Sequence, residues 1–181
     1  MATTSDIEVA RGLAAVDAPS EAARKALSFA VHFCAKRLGG SEDPVALLKT
    51  NHSVAHEYLR YGLALRLAEY VADADETVIA VYLHNWGPAA EEVEADAVGM
   101  TSPLSLIIWV RRQTAALRSL LADLDGAITR EYKALVAPAA DRMCSLLDAN
   151  LVEDREVGTR TGLGALLAST RERPLRVWQR T

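Results

Sequence analysis

The chain has 181 residues, half of them hydrophobic and only 6% aromatic, with a formal net charge of −4. That length holds one domain with a real core, and the Ala- and Leu-rich balance favours helices over sheet. Five arginines against one glutamate after Gly158 carry +4 and leave −8 on residues 1–157; this acidic body argues against a nucleic-acid partner, since such domains present a basic face on folded structure.

In chain order, Ser5 caps a short helix over Asp6–Val16, and Asp17-Ala18-Pro19-Ser20 breaks it. A second helix spans Glu21–Leu38, with Ala26, Leu27, Phe29, Ala30, Phe33 and Cys34 on its apolar face, and Gly39-Gly40 stops it. Ser41 to Pro44 opens a brief helical turn through Lys49. Ser53–Ala72 is apolar on most sides, the pattern of a buried central helix, and Glu76–Trp86, capped by Asp75, reads the same way until Gly87-Pro88 ends it. Ala89–Val98 reads as an acidic exposed helix. A long helix then starts at Ser102-Pro103 and carries Leu104, Ile107, Ile108, Leu117, Leu120, Leu121, Leu124 and Ile128. Ala139–Leu151 and a short Leu163–Ser169 complete the series. No segment shows convincing strand alternation, so the expected fold is an all-α, single-domain bundle over residues 1–157. A basic tail with one short helix follows over 158–181, and a solvated terminus is the expectation for it.

No apolar segment approaches the roughly 20 residues of a bilayer span, and the N-terminus lacks the apolar run of a secretory signal. A soluble, cytoplasmic protein with no membrane partner is expected. Cys34 and Cys144 have neither metal-ligand spacing nor a disulfide framework and read as buried thiols. His56-Glu57 is not a zinc-protease motif, because the second histidine would fall at Arg60. Gly158, Gly162 and Gly164 follow no predicted strand and precede no Lys-Ser/Thr, so they are not a phosphate loop. Trp86, Trp109 and Trp178 read as core or interface anchors.

The histidines are more informative. His52 opens one predicted buried helix and His84 closes the next, so antiparallel packing would bring both imidazoles to one end of the bundle. Val78 to Gly87 (VIAVYLHNWG), the upstream Ala26 to His32 and the later Ala140-Asp141-Arg142-Met143 together resemble the HD-domain superfamily over roughly residues 22–150. Its metal-dependent phosphohydrolases hold a divalent ion with an isolated His, a His-Asp pair and a distant Asp. The resemblance implies a ligand set of His52, His84, Asn85 and Asp141, a nucleotide or phosphoester ligand, and a divalent metal (Mn, Fe, Zn or Mg). The departure is Asn85, which stands where the family has aspartate. An amide oxygen brings no charge and cannot act as a base, so the metal would be weakly bound and catalysis crippled. His56, one turn after His52, is a substitute ligand on this reading; the plainer reading makes it a polar residue at the edge of the core. The expectation is a degenerate HD-type domain, weak or inactive as an enzyme, acting as a binding or assembly module with a homodimer or protein partner. The alternatives are an active metal-dependent phosphohydrolase and an all-α scaffold or oligomerisation protein with no active site.

Overall fold

A computed structural model of the chain describes residues 17–40, 42–50, 52–84, 103–138, 143–169 and 173–181. Three helices come first: α1 (Pro19–Arg37), the short α2 (Pro44–Lys49) and α3 (Ser53–Ala74). Strands β1 (Val78–Leu83) and β2 (Leu104–Val110), helix α4 (Ala115–Val136) and strand β3 (Leu147–Glu153) follow. Two one-and-a-half-turn helices, α5 (Asp154–Thr159) and α6 (Gly162–Leu167), lead to a last strand, β4 (Leu175–Gln179). The four strands form one mixed sheet in the order β3-β2-β1-β4. β1 runs antiparallel to β2 and β4, while β2 and β3 run parallel through the α4 crossover.

The all-α, HD-like bundle is thereby overturned: the protein is mixed α/β. The predicted helix over Glu76–Trp86 is strand β1 through Leu83, and the head of the predicted helix from Ser102 is β2. The end of the predicted Ala139–Leu151 helix belongs to β3, and β4 lies in the expected solvated tail. The physical reason is that this sheet is covered on both faces, so β1 and β2 are apolar at consecutive positions and lose the period of two. The predicted helices over Asp6–Val16 and Ala89–Val98 lie outside the described residues, as does Trp86.

The larger core lies between one face of the sheet and helices α1, α3 and α4. Val78, Val81, Leu83, Leu104, Leu106, Ile108 and Val110 meet Ala30, Leu59, Leu63, Leu67, Leu124 and Ile128 there. α1 and α3 cross closely at Gly62, where a Cβ would stand 2.9 Å from Ala30 Cα. Cys34 is buried in the same seam, its thiol 3.4 Å from the Ala55 carbonyl, whereas Cys144 is exposed. The opposite face buries Ala80, Tyr82, Ile107 and Val152 under Leu167 of α6. Trp109 packs against that second core and donates from Nε1 to Asp154 at 2.7 Å. Among the described residues no helix is long and apolar enough to cross a membrane.

Candidate functional site

The residues singled out by sequence fall in different layers. His52 is the N-cap of α3, and its Nδ1 accepts the Ala55 amide at 3.3 Å. One turn later His56 points inward and is only 7% exposed. Its Nε2 donates to the Leu48 carbonyl of α2 at 3.0 Å, which leaves Nδ1 buried with no hydrogen-bond partner among the described residues. Burial lowers the His56 pKa, and the positive charge of Arg60 and the neighbouring His52 push the same way against the Leu48 bond. The plainer sequence reading of His56 therefore fits its surroundings.

His84 follows β1 directly and donates its backbone N–H to the Ser105 carbonyl at 2.9 Å. Leu83 packs into the helix-side core and Tyr82 into the other, so strand alternation turns the His84 side chain away from α3. Length separates the histidines further: 22-residue α3 runs about 33 Å, six-residue β1 only about 20 Å. The helical hairpin that would have brought His52 and His84 together is replaced by a helix and a strand of unequal reach. Asn85 and Asp141 lie outside the described residues. Among the described residues no three His, Cys, Asp or Glu side chains come together to hold a metal. His84 instead continues a polar row with Ser105 and Asp148, in which the Ser105 hydroxyl donates to the Asp148 carboxylate at 3.3 Å.

A second feature has cations but no free charge. Arg24, Lys25, Ser28, Phe29, His32 and Arg66 line a shallow hollow of about 540 Å³ on α1 and α3. Arg24 pairs with Glu21 at 3.0 Å, Lys25 with Asp17 at 2.8 Å and Arg66 with Glu69 at 2.6 Å. The three cations are thus met by carboxylates of their own layer, which weakens the hollow as a phosphate site.

The third feature is the edge of β3, which sequence reasoning missed. The Leu104 N–H donates to the Leu146 carbonyl, and Leu104 is in register with Leu147. In a parallel ladder this register turns the backbone groups of residues 148, 150 and 152 toward β2 and those of 147, 149, 151 and 153 toward the open edge. The ends of the edge are covered by side chains. Asp125 Oδ1 accepts the Leu147 N–H at 2.8 Å, and Ser145 Oγ donates to the Leu147 carbonyl at 3.3 Å. Gln113 Nε2 donates to the Leu151 carbonyl at 3.4 Å, and Glu156 accepts the Glu153 N–H at 3.0 Å. Between these caps the N–H and C=O of Ala149 and the N–H of Leu151 have no partner among the described residues.

These three groups sit in a groove of about 440 Å³ between β3 and the flank of α4, with Arg118, Leu121, Ala122 and Asp125 on its helical wall. The groove is dipolar. Arg118 bonds Gln113 at the Leu151 end, while Asp125 holds the Leu147 end. The opposite edge, β4, is blunted by a register shift and by exposed Arg173 and Arg176 beside it, devices that discourage strand pairing. β3 (LDANLVE) has neither Pro, Lys nor Arg. Its alternation of Leu147, Ala149 and Leu151 with Asp148 and Asn150 was the one signal available in sequence; the caps from Gln113 and Asp125 carried none.

Comparison of the chain with protein-family models, curated proteins and solved structures finds no match.

Proposed function

We propose that this protein is a binding module that takes up an extended peptide segment along the edge of β3, and that it has no catalytic chemistry at this site. The observation that carries the reading is the trio of open backbone groups on Ala149 and Leu151, framed by capped ends and seated in the groove beside α4. Strand addition draws affinity from main-chain hydrogen bonds and specificity from the flanking pockets. Leu121 and Ala122 offer apolar wall to the added strand, and Arg118 and Asp125 offer opposite charges at its two ends. The reading keeps the binding-module expectation from sequence and detaches it from the metal ligands. An HD-type phosphohydrolase rests on the sequence resemblance alone.

The test is selection of a random displayed heptapeptide library against the natural chain, followed by affinity measurement on Ala149→Pro. Proline removes the outward N–H, and on an edge strand it leaves the ladder to β2 in place. The expected result is enrichment of extended, β-branched peptides that lose at least tenfold in affinity for the variant. No enrichment, or equal affinity for a variant with unchanged circular dichroism, overturns the reading.

A further inference from the structure

Resting on the strand-addition reading, we propose that the β3 edge takes the amino-terminal end of its ligand: a peptide that runs parallel to β3 with its free α-ammonium held at Asp125. The observation that carries this is the place of the Asp125 carboxylate. Its Oδ1 accepts the Leu147 N–H at 2.8 Å on the open edge, where a strand passing Leu147 would have to bring a carbonyl. The same oxygen accepts the Leu146 N–H at 3.0 Å and the Thr129 hydroxyl at 3.1 Å, so three donors fix it. The ladder of an added strand stops here in either direction, and charge decides which end stops it. An antiparallel ligand would bring its carboxylate against Asp125, whereas a parallel one brings its ammonium. Asp148 lines the same end of the groove, and neither carboxylate pairs with a cation among the described residues.

With the second ligand residue in register with Ala149, every open group of the edge is met. The ammonium of the first residue donates to the Leu147 carbonyl, which keeps a lone pair beside the one Ser145 uses. The first carbonyl accepts the Ala149 N–H, the third N–H donates to the Ala149 carbonyl, and the third carbonyl accepts the Leu151 N–H. Beyond that point Glu156 covers the Glu153 N–H at 3.0 Å, and the ligand leaves the edge. Strand alternation turns the second and fourth side chains toward α4. The second meets Leu121 and Ala122, which suits an apolar residue. The fourth stands level with Leu151, whose carbonyl accepts Gln113, and Gln113 Oε1 in turn accepts Arg118. The Glu153 carboxylate at that end accepts the Gln113 N–H at 2.8 Å and makes no ion pair with Arg118. An acidic fourth residue would supply the carboxylate that Arg118 lacks among the described residues.

The probe is a synthetic heptapeptide amide with valine second and glutamate fourth, titrated calorimetrically into the natural chain as the free amine and as its Nα-acetyl form. The free amine should bind about tenfold more tightly, because its bonds at the Asp125 end are charge-assisted. Asp125→Asn keeps an oxygen for the Leu147 N–H and removes the charge, so it should erase most of that difference. Lysine in the fourth place should weaken binding to the natural chain and strengthen binding to Arg118→Glu. The two peptide forms are compared on the natural chain, so misfolding of either variant leaves the main comparison standing. Equal affinity of the two forms overturns the ammonium anchor; if Ala149→Pro then weakens both, strand addition survives without it. If neither form binds while the displayed library still enriches peptides that depend on Ala149, the anchor falls and the edge reading stands. If neither form binds and the library enriches nothing, both fall.

Discussion

His56 shows how one side chain can tie local structure to pH. Its imidazole links α3 to α2 through Leu48, and a proton on Nδ1 would be buried with no acceptor among the described residues. Burial holds the folded pKa below the usual histidine value of 6.5. The unfolded chain therefore takes up the proton first as pH falls. The stability tied to neutral His56 is fully present above about pH 6.5 and is lost below it, by at most about 1.4 kcal/mol per pH unit. Denaturant unfolding at pH 7 and pH 5 should show a larger loss for the natural chain than for His56→Gln, whose side-chain amide can still donate to Leu48. Equal losses would mean that the folded protein accommodates the proton. The position of this histidine at a core edge was legible in sequence, because it lies on the inner face of an apolar helix. Its partner was not, since the Leu48 carbonyl reaches it only through the turn between α2 and α3.

The α1–α3 pair is the tightest fit between two elements. Gly62 lies inside a helix, where alanine would ordinarily gain about 1 kcal/mol. Here an added Cβ would meet the Ala30 backbone at 2.9 Å, and a backbone atom cannot swing aside as a side-chain tip can. Overpacking of this kind costs about 1–3 kcal/mol, so the clash outweighs the helical gain. Gly62→Ala should lower the urea midpoint without changing the fold seen by circular dichroism; a raised midpoint would mean that the helices separate freely. These two helices were legible in sequence, α1 closely and α3 to within two residues at its end, because each keeps a helical repeat and a clear stop or cap. β1 and β2 were not, and the cause is shared. VIAVYL and LSLIIWV are buried from both sides, and a short run apolar at all or nearly all positions fits a buried helix as well as a buried strand. Assigning Val78–Leu83 to a helix is also what set His84 beside His52 in the sequence reading, so that step of the argument for a shared site went with the helix.

Across the whole molecule, the last strand closes structure begun a hundred residues earlier. β4 pairs with β1, and Trp178 packs against the main core. Arg180 then fastens the end of α3, with Nη2 on the carbonyls of Ala72 at 2.8 Å and Asp75 at 3.2 Å and Nε on Val78 at 2.9 Å. A guanidinium suits this place because its fixed fork meets several carbonyls at once and its charge faces the negative end of the helix. The arginines after Gly158 suggested a detached basic arm, since sequence shows their charge but not the carbonyls that await one of them. Removing residues 173–181 separates the two descriptions. Loss of a detached arm leaves the unfolding midpoint unchanged. Loss of β4 strips a flank from β1, uncovers core that Trp178 shields and frees three carbonyls, so the midpoint should fall by several kcal/mol equivalent. The truncated chain should also aggregate, because β1 becomes an apolar edge without the register shift or the arginines that protect β4. Urea unfolding and light scattering of the truncated and full chains, at equal concentration, distinguish these outcomes.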